Sequence, residues 1–96
     1  MEQNTNKFLP IGSIVLLKGA TKRLMITGFC VVPDEDKNKI FDYSGCLYPE
    51  GIISNEQTAL FNHDQIDKVF SIGYSDEEEI RFKAKLVEAL NEKGNN

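Results

Sequence analysis

The sequence predicts an α+β domain, a small and strongly bent antiparallel sheet or SH3-like barrel followed by one C-terminal helix. Short runs of β-branched and aliphatic residues, separated by glycine, proline and charged turns, occupy residues 13–72. One stretch with helical periodicity follows at about 76–92. The 96 residues allow a single domain, here residues 8–93, between predicted disordered tails at 1–7 and 94–96.

The first two strands form a predicted hairpin. Residues 13–17 and 24–32 are rich in β-branched and aliphatic side chains, and the polar segment between them contains Gly19. Gly28, inside the second run, predicts a bulge or a tight bend in the strand. The charged segment 33–39 predicts a turn, because its proline lacks a backbone donor and its charges favour water.

Three further strands are predicted after this turn. The first covers residues 40–43 and continues as a bent strand into a proline and glycine turn. Residues 59–62 form a short strand or a buried loop. Residues 66–74 are ambiguous between strand and helix, and a strand is predicted for their second half, which suits a pleated surface. Between the last two, residues 63–65 form a polar corner, whereas residues 52–58 are mostly irregular.

The C-terminal helix has boundary signals at both ends. Ser75 and Glu78 match a Ser-x-x-Glu capping box, and Gly94 is a stop signal. The apolar residues fall in two stripes, Ile80, Ala84, Val87 and Leu90, and Phe82, Leu86 and Ala89. Because the stripes together cover more than half of the circumference, we expect one to face the sheet and the other a partner or a second copy. A wider contact with the same core is the alternative.

Composition and charge exclude several classes of protein. No run of 18 apolar residues exists, and the first ten residues lack the apolar stretch of a secretory signal, so we expect a cytoplasmic protein without a membrane span. The net charge is −4, and residues 50–96 hold 10 acidic and 5 basic residues. This acidic half argues against phosphate binding as the main role and favours a basic or amphipathic protein partner.

The sequence contains no catalytic or metal-binding constellation. Cys46 and His63 lack a local signature of nucleophile and base, and a Cys46-dependent enzyme is only our third hypothesis. Two cysteines and one histidine do not supply the four close ligands of a structural zinc site. We therefore predict no enzymatic activity, no metal and no cofactor, with Cys30 and Cys46 as small buried hydrophobic residues.

Predicted contact residues lie in two places. Residues 43–51 bring tyrosines beside rigid turns, which suits a contact patch and equally suits a corner that closes the core. With the second helical stripe and Phe61, they give the predicted protein-binding set: Tyr43, Cys46, Tyr48, Phe61, Phe82, Leu86 and Ala89. Three glutamates at the start of the helix are predicted to steer the encounter: Glu77, Glu78 and Glu79.

A basic hairpin supports an alternative function. Residues 12–19, followed by Lys22 and Arg23, are similar to the opening of SH3-like barrels in ribosome and transcription factors. Lys18, Lys22 and Arg23 could contact phosphates, although they are few and no aromatic residue interleaves them. An RNA-binding or ribosome-associated barrel is therefore the second hypothesis.

Several motifs together carry a family resemblance. They are residues 9–19, 22–28, 42–46, 48–51, 60–66 and 73–74, with the acidic start of the helix. In this order they resemble a Firmicutes family of small proteins of unknown function, whose genes lie beside those for LXG toxins and type VII secretion components. The resemblance implies a cytoplasmic chaperone or targeting factor that binds an LXG-type toxin before export, alongside small helical WXG-like proteins. It transfers no catalytic residue, and a homodimer stays open.

Overall fold

The computed structural model describes residues 8–32, 39–54 and 58–94, with side chains through residue 90. Five strands and one helix follow in the order β1 (Ile14–Leu17), β2 (Leu24–Val31), β3 (Phe41–Leu47), β4 (Ala59–Phe61), β5 (Ile66–Ser71) and α1 (Glu77–Gly94). A short 3-10 turn, His63–Gln65, forms the predicted polar corner before β5. The α+β class is therefore confirmed. The predicted tail at 1–7, residues 95–96 of the predicted tail at 94–96, and residues 33–38 of the predicted turn lie outside the described residues.

The strands form one antiparallel sheet in the order β4-β3-β2-β1-β5. β4 and β5 are the two edges and do not pair with each other, so the sheet is open and the barrel alternative is not adopted. The bulge predicted at Gly28 is confirmed by a register shift against β3 between Ile26 and Gly28. A Cβ at Gly28 would lie 2.8 Å from Ser44 Oγ, so a side chain at this position requires the serine hydroxyl to move.

The hydrophobic core contains six buried side chains from the N-terminal segment and from β1 to β4. They are Phe8, Val15, Leu24, Ile26, Tyr43 and Phe61. The Tyr43 ring lies 5.3 Å from Phe61 and meets Phe8 edge-on at 6.0 Å, which are favoured aromatic geometries. Three residues of α1 pack against this cluster, namely Leu86, Val87 and Leu90. The helix and the N-terminal segment therefore share one core with the sheet.

The first turn of α1 uses a different cap from the predicted one. The backbone N–H of Glu79 donates to Oδ1 of Asp76 at 3.0 Å, so Asp76 caps the helix instead of Ser75. The Ser75 hydroxyl donates to Oε1 of Glu79 at 2.6 Å. Two overlapping capping patterns are present, Ser75 with Glu78 and Asp76 with Glu79, and the carboxylate of Asp76 is the stronger acceptor. The helix also continues through Gly94, because terminal boundary signals place an end only within one or two residues.

The face of α1 that meets the core runs between the two predicted stripes. It is formed at i, i+3, i+4 and i+7 spacing by Lys83, Leu86, Val87 and Leu90. Two exposed flanks border this face, one with Ile80 and Ala84 and the other with Phe82 and Ala89. The prediction that one entire stripe packs on the sheet is therefore wrong. Lys83 occupies a core-facing position of the helix. A search for apolar residues alone does not identify such a position, because lysine is charged.

Candidate protein-binding site

A groove opens between α1 and the sheet, near the end of β2. We call it the helix–sheet groove, and it is lined by Cys30, Val32, Ile40, Leu86, Ala89 and Leu90. Its volume is about 180 Å³, and its lining is predominantly apolar. An engineered apolar cavity of about 150 Å³ binds benzene, so the groove has room for a phenyl ring or a branched aliphatic side chain of a partner.

The two walls of the groove arise from different local structures. On the helix side, Leu86 and Leu90 are half-buried, whereas Ala89 is exposed at the rim. On the sheet side, Cys30 has a positive φ of 53°, an uncommon backbone conformation for a residue other than glycine. Just beyond it, Val32 is 41% exposed and Ile40 36% exposed. Among residues 8–32, 39–54 and 58–90, the groove is therefore an open apolar surface and not a closed part of the core.

Phe82 continues this apolar surface one helical turn before Leu86. Its ring centroid lies 6.1 Å from that of Phe29, at an interplanar angle of 47°. Phe29 in turn meets the core ring of Phe8 edge-on at 5.7 Å. Half of the Phe82 side chain, 50%, nevertheless stays exposed. An aromatic ring that is anchored on one side and open on the other suits a contact with a partner.

The structure brings the three predicted helix residues together. Leu86 and Ala89 line the groove, and Phe82 lies beside it on the same side of α1. The sequence does not predict the residues that complete the groove on the sheet side. Val32 and Ile40 flank a charged segment, and nothing in their sequence context shows that they meet the helix.

Three other predicted contact residues are not on the surface. Tyr43, Cys46 and Phe61 have exposed fractions of 0%, 3% and 0%. Tyr43 and Phe61 belong to the core cluster, so Tyr43 closes the core instead of forming a contact patch. Cys46 is buried as expected, whereas Cys30 is only half-buried. We remove the three buried residues from the candidate contact surface.

The Tyr43 hydroxyl links the core to two neighbouring segments. It accepts a hydrogen bond from the Leu9 N–H at 3.0 Å and lies 2.8 Å from Nδ1 of His63. Burial raises the pKa of this hydroxyl to about 12, and the negative charge of Asp42 acts in the same direction, while the hydrogen bond from Leu9 opposes both. Tyr43 is therefore neutral at physiological pH and serves as a buried structural link.

Hydrogen bonds from backbone N–H groups to side-chain oxygens fix the corner that contains His63. Its N–H donates to Oδ2 of Asp42 at 2.8 Å, and the Asp42 N–H donates to Oδ1 of Asn62 at 3.0 Å. The Asn62 N–H in turn donates to Oε1 of Gln65 at 2.8 Å. This reciprocal arrangement ties β3 to the 3-10 turn and holds the imidazole against the Tyr43 hydroxyl.

The three predicted steering glutamates have different surroundings. Glu77 and Glu78 are exposed, and Glu77 lies 3.7 Å from Arg81. Glu79 lies 3.1 Å from Nζ of Lys83, and the two side chains are 17% and 11% exposed. The charge of Glu79 is therefore used within the fold, and only Glu77 and Glu78 are placed to attract a partner.

A second surface cluster centres on Arg23. Its guanidinium carbon lies 5.0 Å from the centroid of the Tyr48 ring and 5.7 Å from that of Phe70. The neighbouring Lys22 contacts Glu50, with 2.8 Å between Nζ and Oε2. That hydrogen bond from Lys22 lowers the pKa of the Glu50 carboxyl. The sequence showed no aromatic residue among the basic ones, because Tyr48 and Phe70 approach Arg23 only through the fold.

The described part of the chain contains no group of three or more histidine, cysteine, aspartate or glutamate side chains that could hold a metal ion. In the same residues, no helix has both the length and the apolar character needed to cross a membrane.

The fold and this surface define a small open-sheet α+β domain with an apolar groove beside its C-terminal helix. The chain belongs to the family described as a domain of unknown function, DUF4176, whose model matches residues 8–82. That match covers the sheet and the first turns of α1, while the helix side of the groove lies after it. No curated protein and no solved structure compared with the chain matches it.

Proposed function

We propose that this chain is a non-enzymatic accessory protein that binds an LXG-type toxin in the cytoplasm, as a chaperone or targeting factor for type VII secretion. The observation that carries the proposal is the helix–sheet groove, with Phe82 half-exposed beside it. The partner is inferred from the motifs that resemble the family encoded beside LXG toxins. Small helical WXG-like proteins are the expected companions in the same complex.

The groove suits the apolar face of an amphipathic helix of the toxin. Helix-in-groove recognition places apolar anchors at i, i+3, i+4 and i+7 into a hydrophobic depression. The volume of about 180 Å³ accepts one such anchor, and the open side of Phe82 offers a contact for another. The exposed carboxylate of Glu78, one helical turn before Phe82 on the same flank of α1, favours a basic residue at the edge of the partner's apolar face.

The absence of catalysis is part of the proposal. The thiol of Cys46 is buried, so a substrate does not reach it in this structure. Nδ1 of His63 contacts the Tyr43 hydroxyl, which commits the imidazole to a structural contact. The burial of Cys46 and the contact of His63 with Tyr43 support this part of the proposal.

The RNA-binding alternative has less structural support than toxin binding through the helix–sheet groove. Of the three basic hairpin residues, Lys22 is paired with Glu50 and Arg23 lies over two aromatic rings. Only Lys18 is exposed without such a contact in the described part of the chain. Lys18 and Arg23 are then the two hairpin charges without an ion-pair partner in the described residues, and two charges are a weak basis for following a phosphate backbone.

Binding of the purified chain to the helical region of the LXG-type protein encoded beside it tests the proposal. We expect a complex of defined stoichiometry by light scattering, with a dissociation constant that changes only modestly between low and high salt. Three phosphate contacts to single-stranded RNA would instead lose about twentyfold in affinity for a fourfold rise in salt. A chain that leaves the toxin unbound, yet captures RNA in this salt-dependent way, would overturn the proposal in favour of the alternative.

A further inference from the structure

We propose that Arg23, Tyr48 and Phe70 form a second docking site, which binds a carboxylate of an acidic segment in a partner protein. We call these three residues the arginine–aromatic cluster. None of them lines the helix–sheet groove. The arginine–aromatic cluster is therefore independent of the proposed function and is tested separately from the groove.

The fold holds the three side chains in place. Arg23 directly precedes β2, and its carbonyl accepts a hydrogen bond from the Tyr48 N–H at 3.0 Å. Phe70 is the extra residue where β5 shifts register against β1, between the pairs Val15–Val69 and Ile14–Ser71. A bulge of this kind redirects a side chain, and here the Phe70 ring faces the guanidinium. Phe70 lies on β5, while Arg23 directly precedes β2 and Tyr48 directly follows β3, so the sheet holds all three residues.

Within the part of the chain that the structure describes, the N–H donors of the Arg23 guanidinium have no hydrogen-bond partner. Cation–π contacts engage the face of a guanidinium, while its N–H donors lie in the plane and match a carboxylate in bidentate geometry. In residues 8–32, 39–54 and 58–90, no carboxylate lies within ion-pair distance of Arg23. The nearby Glu50 carboxylate contacts Lys22. An exposed guanidinium held by two rings is thus available to an external acid.

The surroundings favour a protein carboxylate over a nucleic-acid phosphate. Arginine and tyrosine are the residue types that dominate protein–protein hot spots. Ile52 and Ile53, which follow the Glu50 turn, are 63% and 67% exposed and add apolar contact area close in sequence to Tyr48. A nucleic acid needs a track of several basic residues, whereas this chain has a net charge of −4. We therefore assign the cluster to an acidic segment with apolar neighbours.

Nuclear magnetic resonance of the isotope-labelled full chain tests this site through the Nε–Hε signals of arginine. The probe is a short blocked peptide of alternating glutamate and leucine, and its glutamine analogue is the control. We expect the Arg23 signal to move and saturate with the glutamate peptide and to stay in place with the glutamine peptide. Arg81, an exposed arginine beside Glu77, serves as the internal reference and should move far less.

Two variants complete the design. Arg23→Lys keeps the charge but loses the planar donor geometry, and we expect it to raise the dissociation constant of the glutamate peptide at least about fivefold. Arg81→Lys, the matched control, should leave it unchanged. Equal movement of both arginines, equal binding of the glutamine peptide, or no binding at all would overturn the site. Stronger binding of an oligouridylate than of the glutamate peptide would overturn it as well and would identify a nucleic-acid contact instead.

Discussion

The ammonium group of Lys83 donates a hydrogen bond of 3.0 Å to the backbone carbonyl of Phe8. This buried contact joins the middle of α1 to the segment that precedes β1. The same Nζ forms an ion pair with Oε2 of Glu79 at 3.1 Å, and the other oxygen of this carboxylate accepts a hydrogen bond from Ser75. The lysine stem fills an apolar position of the helix while its charge clamps the N-terminal segment against the core.

Replacing Lys83 by methionine tests this clamp. We expect the free energy of unfolding to fall by about 2–3 kcal/mol, because the Phe8 carbonyl loses its donor and a largely buried Glu79 carboxylate loses its counter-ion. Urea unfolding measures the change. Lys85→Met, made at an exposed position of the same helix, should stay within about 0.5 kcal/mol of the parent chain. Equal losses in the two variants would show that the clamp contributes nothing specific.

Stability at alkaline pH depends on Tyr43. Burial raises the pKa of its hydroxyl from 10.0 to about 12, so the unfolded chain releases this proton at lower pH than the folded one does. The contribution of Tyr43 is therefore complete below pH 10 and declines by about 3 kcal/mol as the pH rises towards 12. Unfolding measured across this range should show the decline.

Tyr43→Phe is the control for this pH dependence. The variant should be about 1–2 kcal/mol less stable at neutral pH, since the Leu9 N–H loses an acceptor. It should also lack the Tyr43 part of the alkaline decline. An identical slope in both chains would assign the decline to other groups.

Gly73 is a position where the backbone approach forbids a side chain. A Cβ there would lie 2.1 Å from the carbonyl oxygen of Ile11, a backbone atom that cannot move aside. We expect Gly73→Ala to lower the free energy of unfolding by at least about 2 kcal/mol. Gly19→Ala is the comparison, because Gly19 has open space and a φ of +78°, and it should cost only about 1 kcal/mol. Thermal unfolding measures the loss of stability in both variants. A larger loss in Gly19→Ala than in Gly73→Ala would contradict the close backbone approach at Gly73.

Local chemistry allowed much of the fold to be predicted. The alternation and turn residues predict most strands close to those observed, although β5 covers Ile66–Ser71 and not the predicted second half of 66–74. The bulge at Gly28 is predictable because a glycine inside a strand commonly marks a bulge or a tight bend. The order of the strands was not predicted. Which strands form the two edges of the sheet depends on pairing between distant segments, such as β1 with β5. No local pattern encodes that pairing.

The candidate site was predicted only on its helix side. Helical periodicity singled out Phe82, Leu86 and Ala89, but it placed the core-facing side of α1 incorrectly because Lys83 reads as a surface residue. The tyrosine-rich segment was equally consistent with a core corner and a contact patch, and the structure places Tyr43 in the core. The cluster around Arg23 depends on tertiary proximity and had no signal in the sequence.

The groove itself is tested most directly by two matched substitutions on α1. Ala89 lines the helix–sheet groove, whereas Ala84 is exposed on the opposite flank of the same helix. We predict that Ala89→Glu weakens binding of the helical region of the LXG-type toxin at least about tenfold, equivalent to about 1.4 kcal/mol, because it places a charge in an apolar contact. Ala84→Glu should change the dissociation constant less than about twofold. Titration calorimetry on both folded variants decides the matter, and equal affinities, or a loss only in Ala84→Glu, would contradict the assignment of the groove.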